Sequence, residues 1–283
     1  MSDQEESDYD SCGESSDNEP TYTPTEIADM FLDFYKFLTT LHFDPADLKI
    51  PPEECWGQLI PDSFVNVKSQ EVVDVLRRLP YLRRDNEPFY YSSYLIDYTT
   101  FGIEALKYRD SEMQYLEIWS HDRGEIVDQS LCIYIALGYE SGGLDFVLNV
   151  VDAEVTDDVL EHNQGSPDPL QCFFDRLKEE LTTLKYIPCE GMETLDVSRV
   201  PERYEEVTDG EIYSQTERTH FPSDLEAQYI RQLYRRYGWP NAFRRAECFN
   251  AVMEWTNALK ERGLDYWPSV FHTYAGVSWA LEP

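Results

Sequence analysis

LCIYIALGYESGGLDFVLNVV, residues 131–151, decides the fold class. Leu131–Gly138 is a continuous apolar run, and Leu144–Val151 is a second one. Between them lies YESGG, where Gly142–Gly143 can supply the positive φ angles of a tight turn. Two apolar runs around such a turn predict an antiparallel hairpin. A strand that is apolar on both faces belongs at the middle of a sheet, so this hairpin is expected at the sheet centre.

Upstream, Met113–Trp119 (MQYLEIW) alternates apolar and polar residues, and FYYSSYLIDYTTF (89–101) is aromatic and β-prone. Both read as further strands. Before them the period is helical. Thr23 and Pro24 mark a helix start, as N-cap and N1, and Ile27, Phe31, Phe34, Leu38 and Leu41 recur along one face. His42 stands at its end, where a cation suits the helix dipole, and reads as structural. IPPEECWGQLIP (50–61) is an irregular connector with Trp56 as its plug onto the core. Ser69 caps a second helix over Gln70–Leu79, with Val72, Val73, Leu76 and Leu79 inward and Pro80 as the stop.

Downstream of the hairpin, Asp168 reads as the N-cap and Pro169 as N1 of a third helix. Its apolar face is Leu170, Phe173, Phe174, Leu177, Leu181 and Leu184. Residues 188–222 read as one long loop. The remainder is helical. Ser223 and Glu226 form a capping box, Leu225, Tyr229, Leu233 and Tyr237 line a face, and Gly238 is the stop. A last helix runs from about Asn241 to Arg262 with Phe249, Val252, Trp255 and Leu259 inward, and the aromatic YWPSVFHTYAGVSW (266–279) is expected to fold back on the core. The pattern is α+β: a mostly antiparallel central sheet with packed helices and a helical C-terminal part. The expected organisation is a disordered acidic tail over 1–22, an α+β domain over 23–187, the loop over 188–222, and a helical extension over 223–283 that shares the core.

The chain has 283 residues, with 55 Asp or Glu against 23 Lys or Arg, for a net charge of −32. Its first twenty residues contain eight acids and no basic residue, and without them the rest still carries −24. Such a charge repels nucleic acid and anionic membranes and favours a basic partner. It also opposes self-association, so a monomer is expected. Aromatic residues make up 14%, enough to bury a real core despite the acidity. No apolar run nears the ~20 residues that span a bilayer. The N-terminus lacks a basic n-region and an apolar h-region, so a cytoplasmic or nuclear location is expected. The six scattered cysteines are then expected to be free thiols.

Chemistry-bearing motifs are sparse. No phosphate-binding glycine motif, G-x-S-x-G elbow, H-E-x-x-H or C-x-x-C occurs. No catalytic residue, cofactor or metal is therefore expected. His121-Asp122 and Asp152-Ala153-Glu154 offer nitrogen and oxygen ligands, but acid-rich turns usually just face water. Ser2, Ser7, Ser11 and Ser16 each precede an acid by three positions, a pattern favoured by acid-directed kinases. The tail is thus either simply solvated or regulated by phosphorylation. Two arginine clusters stand out: Arg77, Arg78, Arg83 and Arg84, then Arg231, Arg235, Arg236, Arg244 and Arg245. Either they pair with neighbouring acids on helix faces, or the second cluster is a docking surface for a partner or for the acidic tail.

The central LCIYIALGYESGGLDFVLNVVD resembles the core of the SUKH superfamily, which includes fungal cell-wall-assembly regulators and bacterial toxin-immunity proteins. LKIPPEECWGQLIP, VVDVLRRLPYL and QLYRRYGWP are similar to segments of uncharacterised fungal proteins. The resemblance covers about residues 28–160. It implies an α+β domain that acts by binding proteins and has no shared catalytic residues. The leading expectation is a non-enzymatic interaction or regulatory protein that docks electrostatically to a basic partner. The alternatives are an accessory enzyme of fungal metabolism with an aromatic-lined pocket and an immunity-type inhibitor of a basic toxin.

Overall fold

The structure, a computed structural model, describes residues 21–60, 67–83, 89–90, 92–100, 117–138, 143–159, 163–189, 194–215 and 223–263. Among them are six helices and one main antiparallel sheet, so the fold is α+β. Outside the described residues lie the tail over 1–20, the hairpin turn over 139–142, most of the strand expected over 113–119, and the aromatic segment from Tyr266.

Helix α1 spans Pro24–Leu41. The Thr23 hydroxyl accepts from the Glu26 N–H, and Glu26 accepts from the Thr23 N–H at 2.8 Å, a complete capping box. Its buried face is Ile27, Ala28, Phe31, Phe34, Tyr35, Leu38 and Leu41. Two residues assigned to the tail are anchored: the Thr21 N–H donates to Val151 O at 3.0 Å, and Tyr22 packs against the core. His42 caps the helix C-terminus and is buried, its ring 4.7 Å from that of Phe43.

Strand β1 (Leu48–Lys49) pairs with β2 (Tyr81–Leu82), and between them helix α2 covers Gln70–Leu76 with Ser69 as N-cap. The helix ends three residues earlier than its apolar pattern suggests, though Leu79 is still buried. Trp56 plugs the connector as expected and donates its ring N–H to Leu79 O at 2.7 Å.

The main sheet is β3 (Ser93–Leu95), β4 (Cys132–Gly138), β5 (Leu144–Asn149), β6 (Glu154–Val159) and β7 (Asn163–Gln164), in that order. Strand β8 (Asp168–Pro169) also pairs with β6. The hairpin of residues 131–151 is β4–β5, with Ile133 opposite Leu148 and Tyr134 opposite Val147, and it lies at the sheet centre. Strand β6 reads EVTDDV, acidic enough to hide it from hydropathy.

Helix α3 (Leu170–Thr182) packs on the sheet through Phe173 and Phe146, ring centroids 5.3 Å apart, and on α1 through Phe174 stacked on Phe34 at 4.4 Å. Its start differs from expectation. Asp168 lies in β8, one residue too early to cap, and its carboxylate pairs with Arg176 at 2.6 Å. Pro169 is the N-cap, and the Leu170 N–H reaches Ala153 O.

Within the expected loop over 188–222, the described residues are mostly irregular and carry two short elements. Strand β9 (Tyr186–Ile187) pairs with β10 (Leu195–Asp196), and helix α4 (Asp209–Tyr213) follows, capped by a Thr208–Glu211 box. Helices α5 (Asp224–Arg236) and α6 (Arg245–Glu261) complete the chain, with Gly238 at φ +92° after α5 and Gly263 at φ +67° after α6. The expected face of α5 is not the one buried most deeply. Glu226, Ala227, Gln228, Ile230, Arg231, Leu233 and Tyr234 are buried, while Leu225, Tyr229 and Tyr237 are only partly so. The reason is polar: α5 straps down the preceding segment. Gln228 accepts from the Arg203 N–H and donates to Pro201 O, and Gln232 accepts from the Val207 N–H and donates to Glu205 O. One cluster of buried apolar side chains includes residues of all six helices. Among the described residues no helix is long and apolar enough to cross a membrane.

Candidate functional site

The sheet brings the two acid-rich segments 121–122 and 152–154 together. Residues 118–127 form a small hairpin: the Val127 N–H donates to Ile118 O, Trp119 bridges Ile126, and the Ser120 N–H donates to Glu125 O. At its tip the Gly124 N–H closes on Ser120 O, and the Ser120 hydroxyl accepts from the Arg123 N–H. This tip sits over the start of β6. Glu154 accepts from the N–H of His121 at 3.0 Å and of Asp122 at 3.3 Å. Asp152, at the β5–β6 turn, accepts from Arg123 Nε and Nη2 at 3.0 and 2.8 Å and from Asn149 Nδ2 at 2.6 Å. Ala153 between the two acids has φ +51°, a backbone region uncommon outside glycine.

Asp152 and Glu154 are 7% and 3% exposed. The nearby guanidinium, Arg123, is placed on Asp152 and, through Nη1, 3.5 Å from Glu125. Burial raises the Glu154 carboxyl above its ordinary pKa, and the amide hydrogen bonds only partly oppose this. His121, Asp122 and Glu154 offer one nitrogen and two oxygens, all within 4.8 Å of one another. These residues were identified in the sequence as ligand types but not as neighbours, because β6 was not legible.

A second polar group sits where α3 meets β9. The Tyr90 and Tyr186 hydroxyls are 3.0 Å apart, and Tyr90 packs edge-on to Phe146. Beside them, Glu180 has a buried Oε2 with no hydrogen-bond partner among the described residues. Burial raises its pKa, and Arg176 and Lys185 lower it.

Most of the described arginines of the two clusters pair with neighbouring acids at partly exposed positions, and Arg231 is buried. Arg231, expected on a docking surface, is 4% exposed and donates to Leu184 O, Val200 O and Val197 O at 3.0, 2.6 and 2.6 Å. That expectation is corrected: Arg231 ties α5 to the segment before it and reaches no surface. Arg235 pairs with Glu202, Arg236 with Glu206 and Arg244 with Glu247. Arg245 lies over the Phe249 ring. In the first cluster Arg78 pairs with Asp74 and Arg83 with Asp47, while Arg84 is outside the described residues.

All five described cysteines are free. Burial pushes the thiols of Cys132, Cys189 and Cys248 up to about 12, so at neutral pH they are protonated and poor nucleophiles. Ser2, Ser7, Ser11 and Ser16 lie outside the described residues. In comparison with known proteins, no family model, no curated protein and no solved structure matches this chain.

Proposed function

We propose that the protein is a non-enzymatic interaction or regulatory protein of the cytoplasm or nucleus, acting as a monomer that docks electrostatically to a basic protein partner. The observation that supports this reading is where the arginines go. Arg231 serves backbone carbonyls, and Arg235, Arg236 and Arg244 each already face a glutamate. The chain holds 55 acids against 23 basic residues, an excess of 32 acids. That excess attracts a basic surface, speeds association and adds specificity more than affinity. The resemblance to the SUKH superfamily points the same way, toward a partner-binding domain, with a basic toxin as one form of partner. The tail adds eight acids to this field, and phosphate on Ser2, Ser7, Ser11 or Ser16 would deepen it.

The test is affinity capture from lysate of the native host at low salt and near 150 mM, with the full chain and with a version lacking residues 1–20. One saturable basic partner that survives moderate salt is the expected result. Its loss from the shortened version would assign the contact to the tail. Diffuse background that washes off both forms with salt would end the docking reading.

A further inference from the structure

We infer that His121, Asp122 and Glu154 form a binding site for a divalent transition-metal ion, which clamps the tip of the 118–127 hairpin to the first residue of β6. The ligand set comes first. An imidazole with two carboxylates suits zinc and its first-row neighbours, whereas calcium and magnesium take oxygen alone. One buried carboxylate from the sheet and two exposed side chains from a turn give a half-fixed site with room for water as a further ligand.

The second observation is a charge left uncompensated. Glu154 is 3% exposed, and it receives hydrogen bonds from two neutral amides. Among the described residues no Lys or Arg pairs with it, because Arg123 is engaged by Asp152 and Glu125. Asp152, the neighbouring buried acid, has its guanidinium, and Glu154 has none. A buried carboxylate is ordinarily paired or bound to a metal. Here an imidazole and a second carboxylate stand next to it.

The geometry requires little movement. Ligand atoms around a tetrahedral zinc at ~2.0–2.1 Å lie about 3.4 Å apart. The present separations, within 4.8 Å, close by roughly 1 Å on rotation of His121 and Asp122, whose side chains are 74% and 61% exposed. Glu154 is already held in place by the His121 and Asp122 amides, which fixes the carboxylate as outer hydrogen bonds do in metal sites generally.

A chain of charge −32 gathers cations diffusely, so the experiment separates a site from an atmosphere. Zinc binding to the full chain is measured by calorimetry in 150 mM sodium chloride, alongside His121→Ala and Asp122→Asn. Both variants alter exposed side chains and leave the Glu154 hydrogen bonds to the backbone amides in place. Saturable uptake of one ion, weakened tenfold or more by either substitution and not matched by magnesium, is the expected result. Cobalt(II) in place of zinc should give visible absorption bands that His121→Ala abolishes. Uptake without saturation, or an affinity unchanged in His121→Ala, would overturn the site.

Discussion

Arg231 shows what one side chain decides in this protein. In the sequence it is one of five arginines within fifteen residues, and nothing local separates it from Arg235 one turn later. The difference is tertiary: Arg231 lies beneath the segment that leads into α4, and its guanidinium satisfies three carbonyls, Leu184, Val197 and Val200, that no strand pairs. Burial lowers its pKa, but a guanidinium keeps its charge in proteins, so the contact is a fixed cation on backbone dipoles. Removing the donors leaves Leu184 O and Val200 O unpaired and leaves Val197 O with the Val200 N–H, at about 1–3 kcal/mol for each lost partner where water does not reach it. Arg231→Met should therefore cost about 3–5 kcal/mol in denaturant-induced unfolding. Arg235→Met, which loses an exposed pair with Glu202 and two exposed hydrogen bonds to Thr182 O and Thr183 O that water can replace, should cost about 1 kcal/mol or less. Equal losses would refute the assignment. The same limit applies to the candidate metal site: the ligand types at 121–122 and 152–154 are legible, but their meeting depends on pairings that one sequence does not display.

Elements were readable where hydropathy and turn chemistry agree. The β4–β5 hairpin has both, and α1 has an apolar face and a capping box. Strand β6 has neither, because Asp157 and Asp158 interrupt its apolar residues, and its place is set by the partner strand β5. Helix α5 misleads for the opposite reason, since its apolar row competes with Gln228, Arg231 and Gln232, which need to reach backbone groups. The hairpin also has a requirement that its apolar pattern hides. A Cβ on Gly138 would lie 2.6 Å from Gly143 C, 2.7 Å from Gly143 O and 2.9 Å from Leu144 N, all backbone atoms. Gly138→Ala therefore has to spread the end of the hairpin, and the Gly138 N–H bond to Asp145 with it. A cost of about 1–3 kcal/mol is expected from such overpacking. Gly210→Ala in α4 is the control, since its nearest neighbour is 3.8 Å away and a helical Gly→Ala change gains about 0.5–1 kcal/mol. Thermal unfolding of both variants checks the pair, and an unchanged midpoint for Gly138→Ala would mean that the two strands do not approach this closely.

For the molecule as a whole, charge sets the terms under which the core has to form. If every basic residue paired with one acid, 32 acids would still be unpaired. Their mutual repulsion opposes compaction, while the observed ion pairs favour it, and salt weakens both. Which effect wins follows from exposure. Arg236–Glu206 has side chains 54% and 72% exposed, and Arg244–Glu247 has 54% and 61%. Pairs this wet contribute about 0–1 kcal/mol. Repulsion among the excess acids is long-ranged and cumulative: at 10 mM salt the screening length is about 30 Å, comparable with the molecule, and at 150 mM it is about 8 Å. Raising sodium chloride from 10 to 150 mM should therefore raise the unfolding midpoint, and an uncharged osmolyte at equal osmolality should not reproduce the whole gain. A midpoint that falls with salt would mean that attractive pairs dominate the electrostatics. The acidic excess would then be locally balanced, and a basic partner would find no field to follow.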